Sequence, residues 1–138
     1  MKFFCSRDEL IEAISYTQKA VSNRTTMPVL EGILFEAKDN TLKLTGYDLE
    51  IGIEAEVQAD IIESGLIVIN SKTIGDIIRK LPDNQIELST ADRLTVIIRS
   101  GRSEFQVKGL DPENYPRLPE VEATQSLTIP QKMLREMI

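Results

Sequence analysis

Histidine is absent from the 138 residues, tryptophan is absent, and cysteine occurs once, at Cys5. Without histidine the chain has no Ser-His-Asp triad, no Cys-His pair and no histidine-bound metal. One cysteine makes neither an internal disulfide nor a zinc ribbon, and it suits a reducing compartment. Four phenylalanines and three tyrosines are too few for a platform that stacks single-stranded bases. No apolar run reaches the length of a membrane span, and the opening "MKFFCSRDEL" meets charge too early for a signal-peptide core. Neither G-x-x-x-x-G-K-[ST] nor G-x-G-x-x-G occurs; the seven glycines fall at turns and strand ends. Carboxylates are plentiful, but Glu50, Glu54 and Glu56 alternate along one segment as a solvated face does. The expectation is a cytoplasmic, non-catalytic binding protein with no cofactor and no metal.

The formal charge of −6 argues at first against a nucleic-acid partner, since phosphate affinity comes from Lys and Arg. Its distribution changes that. Residues 31–70 carry nine acids against Lys38 and Lys43, a local balance of −7, so the rest of the chain carries +1. "SKTIGDIIRKL" (71–81) sets Lys72, Arg79 and Lys80 against Asp76. One half of the chain is acidic, and one short helix is mildly basic.

"LEIGIEAEV" (49–57) alternates apolar residues with acids and glycine, the pattern of a half-buried antiparallel strand. "VLEGILFEA" and "TLKLTG" flank "KDN" as a hairpin leading into it. "QIELST", "LTVIIR" and "SEFQVKG" repeat the arrangement around "ADR" and "SGR". The segments before the two strand sets align without a gap: "FFCSRDELIEAI" (3–14) and "IVINSKTIGDII" (67–78). "LTIPQKMLREMI" (127–138) makes a third copy. Each reads as a short strand, a helix start at Ser6, Asn70–Ser71 or Pro130, then apolar residues four apart. Ser6 and Glu9 also make a capping box. The implied fold is α+β: a strand-helix-three-strand unit, duplicated, with two helices packed on antiparallel sheets. Residues 1–125 form that domain, including a Pro-rich hinge at 110–125. Residues 126–138 hold the first strand and truncated helix of a second domain.

Two places stand out. Arg24, beside Asn23 in "AVSNRTTMPVL" (20–30), sits among loop formers where a phosphate contact could be made. Phe105 and Val107 lie two apart on a late strand, as core or as an edge that pairs with another subunit. A non-catalytic interaction module that uses such edges is the second reading.

The stretches "VLEGILFEAKDNTLKLTGYDLEIGIEAEV", "RSGRSEFQVKGL" and "DPENYPRLPEV", with "MKFFCSRDEL" and "NRTTMPVL", resemble the N-terminal third of the bacterial sliding-clamp family, the β subunits of DNA polymerase III. The resemblance runs through essentially the whole chain. It implies a DNA-clamp fold and a processivity factor: two copies of a three-domain chain closed head to tail around duplex DNA, tethering the replicative polymerase. Arg24, Asn23, Lys72, Arg79 and Lys80 would then face the duplex, with Lys19 a weaker candidate. Phe105 and Val107 would meet the second subunit, with Arg99 and Arg102 making polar contacts nearby. Glu104 replaces a residue that is basic in some relatives, which weakens the case for ion pairs there. Polymerase and clamp loader would dock through domains other than this one.

Overall fold

The structure, a computed structural model, describes residues 1–22, 24–119 and 126–138. Strand β1 (Lys2–Ser6) runs into helix α1 (Arg7–Thr17), followed by β2 (Gly32–Lys38), β3 (Thr41–Tyr47) and β4 (Gly52–Glu63). The order recurs as β5 (Gly65–Asn70), α2 (Ser71–Lys80), β6 (Gln85–Ala91), β7 (Thr95–Ser100) and β8 (Ser103–Lys108). The fold is α+β, and the unit seen twice in the sequence occurs twice in space.

Local chemistry sets the boundaries. The Ser6 hydroxyl accepts from the Glu9 amide at 3.4 Å and starts α1, and Asn70 Oδ1 accepts from the Thr73 amide at 3.1 Å and starts α2. The capping box forms only in this half. Asn84 supplies the rest, its Oδ1 accepting from the Asp8 amide at 3.3 Å and its carbonyl from the Arg7 amide. Between β2 and β3, Asp39 and Asn40 both take positive φ, 52° and 60°. That is the two-residue hairpin turn whose twist matches its strands.

The strands make one antiparallel sheet in the order β5-β2-β3-β4-β1-β6-β7-β8. Each unit gives its first strand to the other: β1 pairs with β6, and β5 pairs with β2. The two repeats read from sequence are therefore interlocked by this exchange. The joint is β4, whose twelve residues pair with β3 through Gly52–Gln58 and with β1 beyond. The expected strand at 49–57 begins later. Leu49 (φ 77°) and Ile51 are more than half exposed, because the Asp48 carboxylate accepts from the Glu50 and Ile51 amides and turns the chain there.

Both helices lie on one face of the sheet. Leu10 and Ile14 of α1, with Ile74 and Ile78 of α2, are buried against Phe3, Phe35, Leu42 and Leu88. The four-residue spacings thus mark the inward stripes. A smaller cluster of Val29, Leu30, Tyr47, Val68 and Tyr115 forms under the segment that leaves β8. This strap bridges back to β5, where Val68 and Leu110 exchange both backbone hydrogen bonds. Residues 120–125 of the expected hinge lie outside the described residues. Beyond them α3 (Gln131–Met137) forms with no buried residue. Residues 126–130, where the third copy's strand was expected, have no strand partner among the described residues.

Candidate nucleic-acid interface and subunit edge

The two helices run antiparallel and are tied at both ends. At one end the Arg7 side chain donates from Nε to the Ile78 carbonyl at 3.1 Å and from Nη2 to the Arg79 carbonyl at 2.7 Å. At the other, Gln18 Nε2 donates to the Ser71 carbonyl at 2.8 Å. Gly75 permits this approach, since a Cβ there would lie 2.8 Å from Gln18 Nε2. The ties fix which residues of the two helices stand opposite one another.

Lys72, Arg79 and Lys80 are exposed on α2, away from its buried Ile74 and Ile78. Arg79 lies 3.9 Å from Asp76 in an ion pair one turn apart. Lys19, just past α1, stands over the Tyr16 ring at 5.7 Å from its centroid, while the Tyr16 hydroxyl donates to Glu12 at 2.9 Å. Arg24 is exposed on the loop, its amide donating to the Ser22 hydroxyl at 3.2 Å. Asn23 lies outside the described residues. The helical face is not evenly basic, because Asp8, Glu12 and Asp76 are exposed on it as well.

The opposite face of the sheet carries the acids. Glu36 pairs with Lys43 at 3.2 Å, and Glu54, Glu56 and Asp60 are exposed along β4. The strap and this face enclose an open cleft of about 650 Å³ bordered by Leu34, Leu66, Tyr115 and Leu118.

Strand β8 has β7 on one side and no strand on the other among the described residues. Phe105 and Val107 are half-buried against the main core, so each serves the core and reaches the edge. Arg99 is engaged within its own chain: Nε donates to Glu104 Oε1 at 2.6 Å across the β7–β8 pair, and Nη1 lies 3.6 Å from Glu87. Glu104 therefore has a partner here. Arg102 is exposed in the tight turn between the two strands. Among the described residues no three of Cys, Asp and Glu converge as a metal site, and no helix is long and apolar enough to cross a membrane.

A family model described as the DNA polymerase III beta subunit, N-terminal domain, matches residues 1–119. The chain belongs to that family. A beta sliding clamp of Staphylococcus epidermidis is 40% identical over 146 aligned residues, spanning 100% of this chain and 39% of that protein. A beta sliding clamp of Halalkalibacterium halodurans is 38% identical over the whole of this chain and 38% of its own length. The solved DNA polymerase sliding clamp of Bacillus subtilis superposes with a TM-score of 0.94 at 36% identity, covering 99% of this chain and 38% of that one. The chain thus spans well under half the length of the clamps it matches.

Within this beta-subunit domain, sequence reading picked out the exposed cations but missed the residues that hold them in place. Arg7, Gln18 and Asn84 are polar residues with no local signature of their task. Only the overlay of the two repeats, which sets α1 beside α2, hinted that such contacts were needed.

Proposed function

We propose that this chain is the first domain of a ring-shaped sliding clamp, a non-catalytic processivity factor that encircles duplex DNA and tethers the replicative polymerase. The observation that carries this reading is the two-faced domain. Paired antiparallel helices present Lys19, Lys72, Arg79 and Lys80 on one side, and an acid-rich sheet faces the other way. A ring that slides needs weak, sequence-independent phosphate contacts inside and no adhesion to nucleic acid outside. Encirclement then supplies retention that affinity does not. Arg24 contributes from the loop, with Asn23 beside it.

The open edge of β8 supports the second contact. Phe105 and Val107 would pack against another subunit while the backbone of β8 extends the sheet across the junction. With Arg99 held by Glu104, Arg102 is the more available of the two arginines for polar contact there. Residues 126–138 would open a second domain, and the docking of polymerase and clamp loader belongs to parts of the clamp beyond this one.

Retention of the full-length protein on duplex DNA tests the reading. After loading on a closed circle it should stay bound through gel filtration and be lost once the circle is cut. Equal retention on both forms refutes encirclement. An edge-pairing interaction module would ignore duplex DNA in either form.

A further inference from the structure

The strap turns part of the acid-rich face into a groove. It leaves β5 at the Val68–Leu110 bridge and passes β3, where Tyr115 donates to the Thr45 carbonyl. It reaches β4 at Leu118, whose side chain lies against Gly52. Strand register sets two rows of side chains across the same four strands. Val68, Leu34, Thr45 and Glu54 stand opposite one another in the first, and Leu66, Glu36, Lys43 and Glu56 in the second. From Leu34 to Glu54 the first row is floor, joined by Leu66 and the Glu36–Lys43 pair, and the strap is the wall of a cleft of about 650 Å³.

The floor changes character along its length. At the β5 end Leu66 is 49% exposed, with Leu34 half-buried near it. At the β4 end Glu54 and Glu56 are exposed, and Lys43 is the one floor cation, paired with Glu36 at 3.2 Å. The Lys43 ammonium is held above its usual pKa by the hydrogen bond to Glu36 and by the charges of Glu36, Glu54 and Glu56, so one lysine serves three carboxylates. The strap brings exposed Glu113 and Arg117, which cancel, and the next hollow along brings Lys38 and Asp39, which also cancel. Glu36, Glu54, Glu56 and Glu113 against Lys43 and Arg117 leave a balance of −2. Three strand spacings make a groove about 14 Å long, the reach of four or five extended residues. Spread over that length, the volume leaves a channel roughly 7 Å across, too narrow for a helix of about 10 Å.

We propose that this cleft is a docking groove for a short extended peptide carried by another protein. An apolar side chain of the peptide seats between Leu34 and Leu66, and a lysine or arginine about four residues away faces Glu54. The groove lies on the face opposite the helices, so its occupant leaves them free. Affinity comes from burying the apolar anchor, and the acids at the β4 end set the order in which the peptide reads.

The test uses the full-length protein and two fluorescein-labelled peptides, Gly-Leu-Leu-Gly-Ser-Lys-Lys and its reverse, with binding followed by fluorescence anisotropy. One of the two should saturate with a Kd below about 1 mM. Leu66→Ser and Glu54→Gln should each weaken it about tenfold, the loss expected for one apolar anchor or one charge-assisted contact. Arg117→Gln should strengthen it. Glu54→Lys with Glu56→Lys should reject the lysine-ended peptide and accept one that carries glutamates instead, a reversal that a misfolded protein does not produce. A peptide bound equally by wild type and Leu66→Ser sits elsewhere on the chain and overturns the proposal. Failure of both peptides to bind overturns it too, the groove then being covered by a second copy or by the rest of the chain. Sedimentation of wild type and Leu66→Ser tells those two occupants apart.

Discussion

The Arg7 guanidinium closes the last turn of α2, reaching the Ile78 carbonyl at 3.1 Å from a position 71 residues earlier in the chain. The second donor goes to the Arg79 carbonyl at the helix end, while the Ile78 carbonyl also accepts from the Leu81 amide. The charge also sits where the α2 dipole favours a cation. Arg7→Ala should cost about 1.5–3 kcal/mol, the range for hydrogen bonds from a charged group. Arg7→Lys should recover part of this, since a lysine ammonium restores the charge but not the fork. Urea denaturation of the three proteins measures it; an Arg7→Ala protein as stable as wild type would show the contact to be idle.

Gly46 makes a second close approach. It sits in β3 opposite Ile53, under the end of α1, where an added Cβ would overlap the Thr17 carbonyl oxygen. That oxygen belongs to backbone and has no rotamer by which to move aside. Gly46→Ala should therefore destabilise by about 1–3 kcal/mol or more, despite the better strand propensity of alanine. The melting temperature of the variant checks the sign.

Much of this architecture could be read before any coordinates. The periods of two and of four, with Ser6 and Asn70 as helix starts, located both helices and their buried faces. The Asp39–Asn40 turn announced the first hairpin. The exchange of β1 and β5 could not be read, because alternation marks a strand and its inward face without naming its neighbour. Leu49 and Ile51 misled for the same reason. They continue the alternation of β4, yet the Asp48 carboxylate captures the Glu50 and Ile51 amides first. The cations were visible one by one, but that α1 and α2 lie side by side in opposite directions came only with the ties at their ends.

Tyr115 anchors the strap. Its ring is buried with Tyr47 and Val68, and its hydroxyl donates to the Thr45 carbonyl at 3.2 Å. Tyr115→Phe keeps the packing and loses one hydrogen bond, about 1 kcal/mol. Tyr115→Ala also removes the ring, and large-to-small changes of this kind cost about 3–5 kcal/mol. Limited proteolysis between Leu110 and Leu118 should accelerate for the alanine variant and hardly at all for the phenylalanine one. Equal acceleration would mean that the hydroxyl, rather than the ring, holds the strap.

Cys5 makes the domain sensitive to alkali. Its thiol is buried in β1 beneath α1, and burial, with a smaller contribution from the Glu9 charge, pushes its pKa from 9.0 to about 12. Above pH 9 the unfolded chain releases this proton while the folded chain keeps it. The contribution is thus complete below the unfolded pKa and is lost as pH rises toward the folded one. The slope approaches about 1.4 kcal/mol per pH unit. Tyr115, also raised by burial, adds a second loss that starts from 10.0. Between pH 9 and 10 the thiol makes the larger contribution, so Cys5→Ala should flatten the stability curve in that interval and leave the fall above it. Denaturation midpoints at quarter-unit steps separate the two groups. An unchanged slope between pH 9 and 10 would show that the thiol ionises without unfolding β1.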